Sequence, residues 1–291
     1  MEKNVLEIRN LTKYYGNIKA VEDLSLSLKE GEIFGFIGPN GAGKSTTIRS
    51  IMNLINKTKG KVLINGKVFN KDDIAIKENI GYLPSEICLY DDLLVKDMLD
   101  YHETFYKKDI HHRREELVKI LCLDETKKVE DLSLGNIKKL GIVLALMHSP
   151  KILILDEPTS GLDPIMQNLF YNLLREEKKK GTTIFYSTHI LSEVAKICDR
   201  VGIIKEGKLI TIENVKEISQ KCLSFVKIKS KDVDEIIKEL NVKVENESEN
   251  TIKFSNNIEH DKLIKILSKF TIDKLLIEEA SIEDIFLHYY K

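Results

Sequence analysis

The sequence carries almost no net charge: 45 Lys and Arg stand against 46 Asp and Glu, a balance of −1. Without a basic field, nucleic acid is not expected as its main partner. Cysteine is scarce, with only Cys88, Cys122, Cys198 and Cys222. They show no C-x-x-C spacing and no accompanying His cluster, which argues against zinc and reads as scattered, reduced thiols. No apolar run approaches the ~18–20 residues that a membrane helix requires. The opening Met1-Glu2-Lys3-Asn4 lacks the apolar core of a signal peptide. Any membrane-spanning part is therefore expected from another chain. What is present is an ordinary apolar share (42%) over 291 residues, enough for one large or two modest domains.

Among the 15 glycines, three cluster in Gly38-Pro39-Asn40-Gly41-Ala42-Gly43-Lys44-Ser45-Thr46, which fits G-x-x-x-x-G-K-[ST]. The preceding Gly31–Gly38 reads as a short buried strand, and Thr46–Ile55 carries apolar residues at helical spacing. Strand, Gly-rich loop and helix are the context in which this motif binds phosphate. Glycines let successive backbone N–H groups turn toward phosphate oxygens, and the helix N-terminus adds its dipole. Lys44 would reach the β- and γ-phosphates, and the Ser45 hydroxyl would face Mg²⁺. A bare Gly-rich turn before a helix is the competing interpretation, and the flanking pattern disfavours it.

Around this loop the chain is organised legibly. Residues 5–30 alternate, as in Asp23-Leu24-Ser25-Leu26-Ser27-Leu28, and predict antiparallel strands. Residues 61–69 predict a small hairpin turning at Asn65-Gly66. From Leu94 to Leu121 the pattern is helical and charged. Strand candidates follow at Lys151–Leu155, Thr182–Ser187 and Val201–Lys205, with helical stretches at 165–180 and 190–198 between them. That is the β-α-β rhythm of a parallel sheet. Composition shifts near Glu213. Beyond it, Leu223–Ile228, Val233–Leu240, Val242–Glu247, Thr251–Phe254, His260–Phe270, Ile272–Glu278 and Ile282–Tyr290 predict strand, helix, two strands, helix, strand and a closing helix. A small α+β sandwich of ferredoxin-like type is expected there, with no convergent polar cluster. It reads as a packing or dimerising appendage, with partner docking as the other reading.

A second centre ends the apolar run Ile152–Leu155, where Asp156 and Glu157 stand side by side before Pro158. Two carboxylates beyond a central strand are costly unless they meet a cation or handle a proton. Beside a phosphate loop, Asp156 is the expected water-mediated Mg²⁺ partner and Glu157 the expected general base for an attacking water.

With these motifs in this order, residues 1 to about 213 resemble the ATP-binding-cassette ATPases, the nucleotide-binding subunits of ABC transporters. Gly38–Thr46 matches their Walker A and Ile152–Glu157 their Walker B. The resemblance makes Tyr15 the aromatic that stacks on adenine, with Tyr14 beside it as the alternative. Ser160-Gly161-Leu162-Asp163 matches the D-loop along the dimer seam, and His189 in Ser187-Thr188-His189 the switch histidine at the γ-phosphate. It implies a P-loop α/β fold: a mixed sheet with antiparallel N-terminal strands, a helical subdomain at about 86–148, and the appendage at 214–291.

Two departures stand out. The signature loop, usually Leu-Ser-Gly-Gly-Gln, reads Leu132-Ser133-Leu134-Gly135-Asn136. Ser133 and Gly135 remain to contact the γ-phosphate on an opposite subunit, and loss of the first glycine is expected to tighten the loop. The Q-loop glutamine, due after Tyr82-Leu83-Pro84, is Ser85 with Glu86 beside it. Serine is too short to reach Mg²⁺ or the attacking water directly, with Glu86 or a bridging water as the alternatives, and altered coupling with intact nucleotide binding is expected. The resemblance implies an ATPase using ATP and Mg²⁺, with Glu157, His189 and Lys44 catalytic. It implies a homodimer or a dimer with a paralogous cassette, driving a permease on a separate chain from the cytoplasmic face of the membrane. The Asp163-Pro164 segment and the appendage resemble exporters of drugs, peptides or lipids. A soluble cassette that remodels macromolecules is the rival, but such relatives carry two cassettes or a long coiled-coil insertion. A sensor subunit with little turnover is the third reading, opposed by the presence of both Glu157 and His189.

Overall fold

The computed structural model of the chain describes residues 3–220, 224–242, 244–248, 250–256, 258 and 260–279. It divides into two compact units between Val215 and Lys216. The first runs β1 (Asn4–Tyr15), β2 (Ile18–Lys29), β3 (Ile33–Ile37), α1 (Lys44–Ile51), β4 (Lys59–Ile64), β5 (Lys67–Val68), α2 (Ile74–Lys77) and β6 (Ile80–Leu83). A helical stretch follows, with α3 (Val95–Glu103), α4 (His111–Leu121) and α5 (Leu134–Leu146). It leads into β7 (Ile152–Asp156), α6 (Pro164–Lys179), β8 (Thr183–Thr188), α7 (Leu191–Ile197), β9 (Arg200–Lys205) and β10 (Lys208–Asn214).

Six strands form one mixed sheet in the order β10-β9-β3-β8-β7-β6. All of its pairings are parallel except β9 with β10. Every residue of β3, β7 and β8 is buried, as expected of central strands covered on both faces. The alternating strands complete an antiparallel sheet of their own, β2-β1-β4-β5. Leu24, Leu26 and Leu28 turn inward along β2 while Ser25 is exposed and Ser27 half-buried. Apolar side chains of both sheets share one core with Ile48 and Ile51 of α1. The helix behind the Gly-rich loop is thereby anchored between the two sheets. Burying two such side chains contributes on the order of 1.5–3 kcal/mol each.

In the second unit come α8 (Val215–Gln220), begun at the boundary, then β11 (Ser224–Ser230), α9 (Val233–Leu240), β12 (Val244–Ser248), β13 (Thr251–Asn256), α10 (His260–Leu267) and β14 (Ile272–Glu279). The strands pair antiparallel in the order β12-β13-β11-β14. This is the expected ferredoxin-like arrangement, and Val226, Ile228, Ile252 and Phe254 of the sheet pack on Ile236, Leu240, Leu263 and Leu267 of the helices. The expected closing helix at 282–290 and Cys222 lie outside the described residues. Among the described residues, no helix is long and apolar enough to cross a membrane.

Candidate nucleotide site

The loop between β3 and α1 is held from behind by atoms that leave no room for side chains. A Cβ on Gly38 would lie 2.4 Å from the Ile204 carbonyl oxygen. One on Gly43 would lie 2.5 Å from the Ala20 carbonyl oxygen, and Gly43 also has φ +105°. Only glycine meets both demands. Lys44 opens α1 and folds back over the loop, its Nζ donating to the carbonyls of Gly38 (2.8 Å) and Pro39 (3.3 Å). Asn40, Gly41, Gly43, Lys44, Ser45 and Thr46 line an open cleft of about 520 Å³. Ala42 is buried under it and anchors the turn, its carbonyl accepting from Gly207 N at 3.0 Å.

On the facing wall, β7 delivers Asp156 and Glu157. Asp156 is fully buried; its Oδ1 accepts from the Ser187 hydroxyl at 2.7 Å. Its Oδ2 is buried with no hydrogen-bond partner among the described residues. A buried carboxylate oxygen left unpaired is expensive, and a cation or its hydration water is the natural complement. Glu157 sits at φ +48°, left-handed backbone that a non-glycine residue adopts at a cost of roughly 1–3 kcal/mol. The kink turns its carboxylate into the cleft, where Oε1 lies 3.2 Å from Lys44 Nζ and Oε2 lies 2.8 Å from His189 Nδ1. Loop lysine, strand-end glutamate and histidine thus form one contiguous chain of contacts.

Ser85, Glu86 and Ser160 complete the cleft. The signature residues and the rest of the D-loop, Gly161–Asp163, are not among the residues that line it. Ser133 caps α5, its hydroxyl accepting from Asn136 N at 3.4 Å. Leu134 is exposed on the first turn of α5, without the positive φ that would call for glycine. The leucine in place of the first glycine is thus accommodated in ordinary helical backbone and presents an apolar side chain at the surface. Gly135 packs against the D-loop, where an added Cβ would come 3.1 Å from the Gly161 carbonyl oxygen. Asp163 caps α6, its Oδ1 accepting from Ile165 N (2.9 Å) and Met166 N (3.0 Å). Of the two tyrosines, Tyr15 is the exposed one, with Lys13 Nζ 4.6 Å from its ring centre, while Tyr14 is half-buried and reaches Glu22.

Two charged residues escape motif reading. Lys138, buried on α5, donates to the Ser85 carbonyl (3.2 Å) and the Glu157 carbonyl (3.4 Å), joining residue 85 to the end of β7. Burial lowers its pKa, and the charges of Asp156 and Glu157 oppose that shift. Nothing in the sequence marks it. Glu193 is buried on α7 among Val194 and Ile197, and a carboxylate on an apolar helix face was the available signal.

A mostly parallel sheet whose strand ends carry a Gly-rich loop, a buried aspartate with one oxygen unpartnered among the described residues and a lysine–glutamate–histidine chain defines a P-loop nucleotide-binding protein. The family model described as ABC transporter matches residues 21–160. The chain is 36% identical over 298 residues to the bacitracin transport ATP-binding protein BcrA of Bacillus licheniformis, covering 97% of this chain and 96% of that protein. It is 38% identical over 213 residues to the linearmycin resistance ATP-binding protein LnrL of Bacillus subtilis, covering 72% and 68%. A solved dimeric bacterial ABC transporter cassette superposes with a TM-score of 0.66 at 28% identity, covering 72% of this chain and 98% of that one. The chain belongs to the family of ABC transporter ATP-binding proteins.

Proposed function

We propose that this chain binds ATP with Mg²⁺, closes as a dimer around it, hydrolyses it, and so powers a permease on a separate chain that exports its cargo. The observation that carries the reading is the Glu157 carboxylate, spanning Lys44 and His189 at the mouth of the phosphate loop. Adenine stacks on Tyr15, and the amides of Gly38–Thr46 cradle the phosphates with Lys44 on the β- and γ-phosphates. Ser45 and Asp156 would hold Mg²⁺, which neutralises developing charge on the phosphates. A γ-phosphate competes with Glu157 for Lys44, and the released carboxylate is then free to take a proton from water. That water's oxygen bonds to the γ-phosphorus while the bond to the β–γ bridging oxygen breaks, leaving ADP and phosphate. His189 steadies the γ-phosphate. Ser133 and Gly135 of one cassette face the nucleotide of the other, and Asp163 lies at the seam between them. The dimeric cassette structure supports this pairing. The bacitracin transport and linearmycin resistance relatives support export from the cytoplasmic side. The appendage at 214–291 serves packing or dimerisation.

The test is to recover tagged Glu157→Gln protein from native membranes with ATP and Mg²⁺. A co-purifying protein with several membrane spans is the expected result and identifies the permease. Recovery of soluble partners alone, or wild-type hydrolysis by the variant, overturns the reading.

A further inference from the structure

Glu193, 3% exposed, accepts hydrogen bonds from four hydroxyls. Its Oε1 takes Thr159 Oγ1 (2.5 Å) and Tyr171 Oη (3.2 Å); its Oε2 takes Thr188 Oγ1 (2.7 Å) and Tyr186 Oη (2.9 Å). Among the described residues its partners are hydroxyls, with no cation among them. Its charge is offset by neutral donors alone, whose directional bonds fix geometry where an ammonium would leave it loose. Burial and the Glu193 charge both push the Tyr186 and Tyr171 phenols up, so they remain donors.

The donors come from distinct places. Thr159 lies two residues past Glu157 and directly before Ser160 of the D-loop. Thr188 directly precedes His189, and its Oγ1 also accepts from Ile190 N at 3.0 Å, so the backbone on both sides of His189 is held. Tyr186 belongs to β8. Tyr171 belongs to α6, the helix that Asp163 caps. One buried carboxylate therefore ties the loop carrying Glu157 and the D-loop to the loop carrying His189.

We propose that Glu193 is a positioning residue: it holds the His189 ring against Glu157 and passes movement of the Ser160–Asp163 loop to that histidine. This rests on the roles given above to Glu157 and His189. The test is steady-state ATPase kinetics of the full chain bearing Glu193→Gln, in wild-type and His189→Ala backgrounds. An amide of the same size presents one acceptor oxygen to four hydroxyls. Turnover is expected to fall about 10–100-fold in the wild-type background with KM within about twofold, and to change less than about twofold in the His189→Ala background. Thr188→Val, which removes the Glu193 link beside His189 together with the Ile190 N bond, is expected to reproduce the fall should Glu193→Gln not fold. Tyr171→Phe, which touches neither loop, is expected to keep kcat within about twofold. Equal losses in both backgrounds, or an unchanged kcat with a lowered melting temperature, overturn the proposal. Full turnover in Glu157→Gln or His189→Ala removes the site reading itself, and this proposal with it.

Discussion

Acid is expected to destabilise this protein through one histidine remote from the cleft. His148 follows α5, is 2% exposed, and stacks on Tyr106 with ring centres 4.5 Å apart. Its Nε2 lies 3.1 Å from the Ile80 carbonyl oxygen, which assigns the proton to Nε2, and Nδ1 is buried without a partner among the described residues. Protonating Nδ1 would place a buried cation, offset only in part by the Ile80 and Leu144 carbonyls, near His102 and Lys108. Burial, reinforced by those neighbours, lowers its pKa from 6.5 to about 4. The folded state then resists a proton that the unfolded chain accepts. Stability is full above pH 6.5 and declines as pH falls toward 4, and the pKa gap sets a limiting loss of about 3 kcal/mol. At pH 5 the loss is about 2 kcal/mol. Burial lowers the pKa of His102 as well, which adds to the same decline. Urea unfolding of wild type and His148→Phe at pH 7.5 and pH 5 isolates the contribution. The phenyl ring keeps the stacking but leaves Ile80 without its donor, a penalty that does not vary with pH, so the comparison is between slopes. Wild type is expected to lose about 2 kcal/mol more than the variant. Parallel losses within about 0.5 kcal/mol would refute the argument, since the ring would then be solvated or paired in the folded state.

Two further outcomes concern the cleft. Gly38→Ala drives a methyl to 2.4 Å from a backbone oxygen that cannot step aside, so a loss of about 1–3 kcal/mol in thermal stability is expected. A displaced loop should also weaken binding of a fluorescent ATP analogue at least about tenfold, and unchanged binding would show that the loop tolerates the shift. Ser85→Gln restores the longer polar side chain while leaving the Lys138 bond to the Ser85 carbonyl in place. ATP affinity is expected to stay within about twofold while permease-stimulated turnover changes, and unchanged basal and stimulated rates would remove the coupling argument.

Where local chemistry determines the outcome, the sequence is a sufficient guide. Ile33–Ile37 and Ile152–Asp156 are apolar enough to be central strands, and Gly38, Gly43 and Lys44 reveal their loop because no other residue types satisfy it. The β2 leucines announce their face by alternation. Strand β10 escaped notice although Glu206-Gly207, both at positive φ, is a plain hairpin turn between it and β9. Its weakly amphipathic run was masked by the composition shift beyond it. Neither the separation of the antiparallel strands into a second sheet nor the placement of Lys138 and His148 is visible locally, and Glu193 shows only as a carboxylate on an apolar helix face. Each depends on partners from 5 to 68 positions away, as in Thr188 and Ile80. The glycine expected in the signature loop carried information of another kind. Leu134 adopts ordinary helical backbone, so its identity bears on the surface that the loop presents.

The cleft itself follows from strand order and register. Strands β3, β8 and β7 are consecutive neighbours, and Ile37 pairs with Thr188 while Asp156 pairs with Ser187. Gly38, His189 and Glu157 are thus the residues that leave the sheet at nearly the same level, at the carboxyl ends where parallel α/β sheets bind ligands. Sequence separation among Lys44, Glu157 and His189 is irrelevant once those pairings form. A slip of two residues in β8 would preserve which faces are apolar yet move His189 by about 6.6 Å, more than twice its 2.8 Å separation from Glu157. The hydrophobic pattern alone does not forbid that slip. The Ser187 hydroxyl does, because it must meet Asp156 Oδ1, and so does Thr188, which must meet Glu193. The buried polar contacts of β8 therefore set the register on which the geometry of the cleft depends.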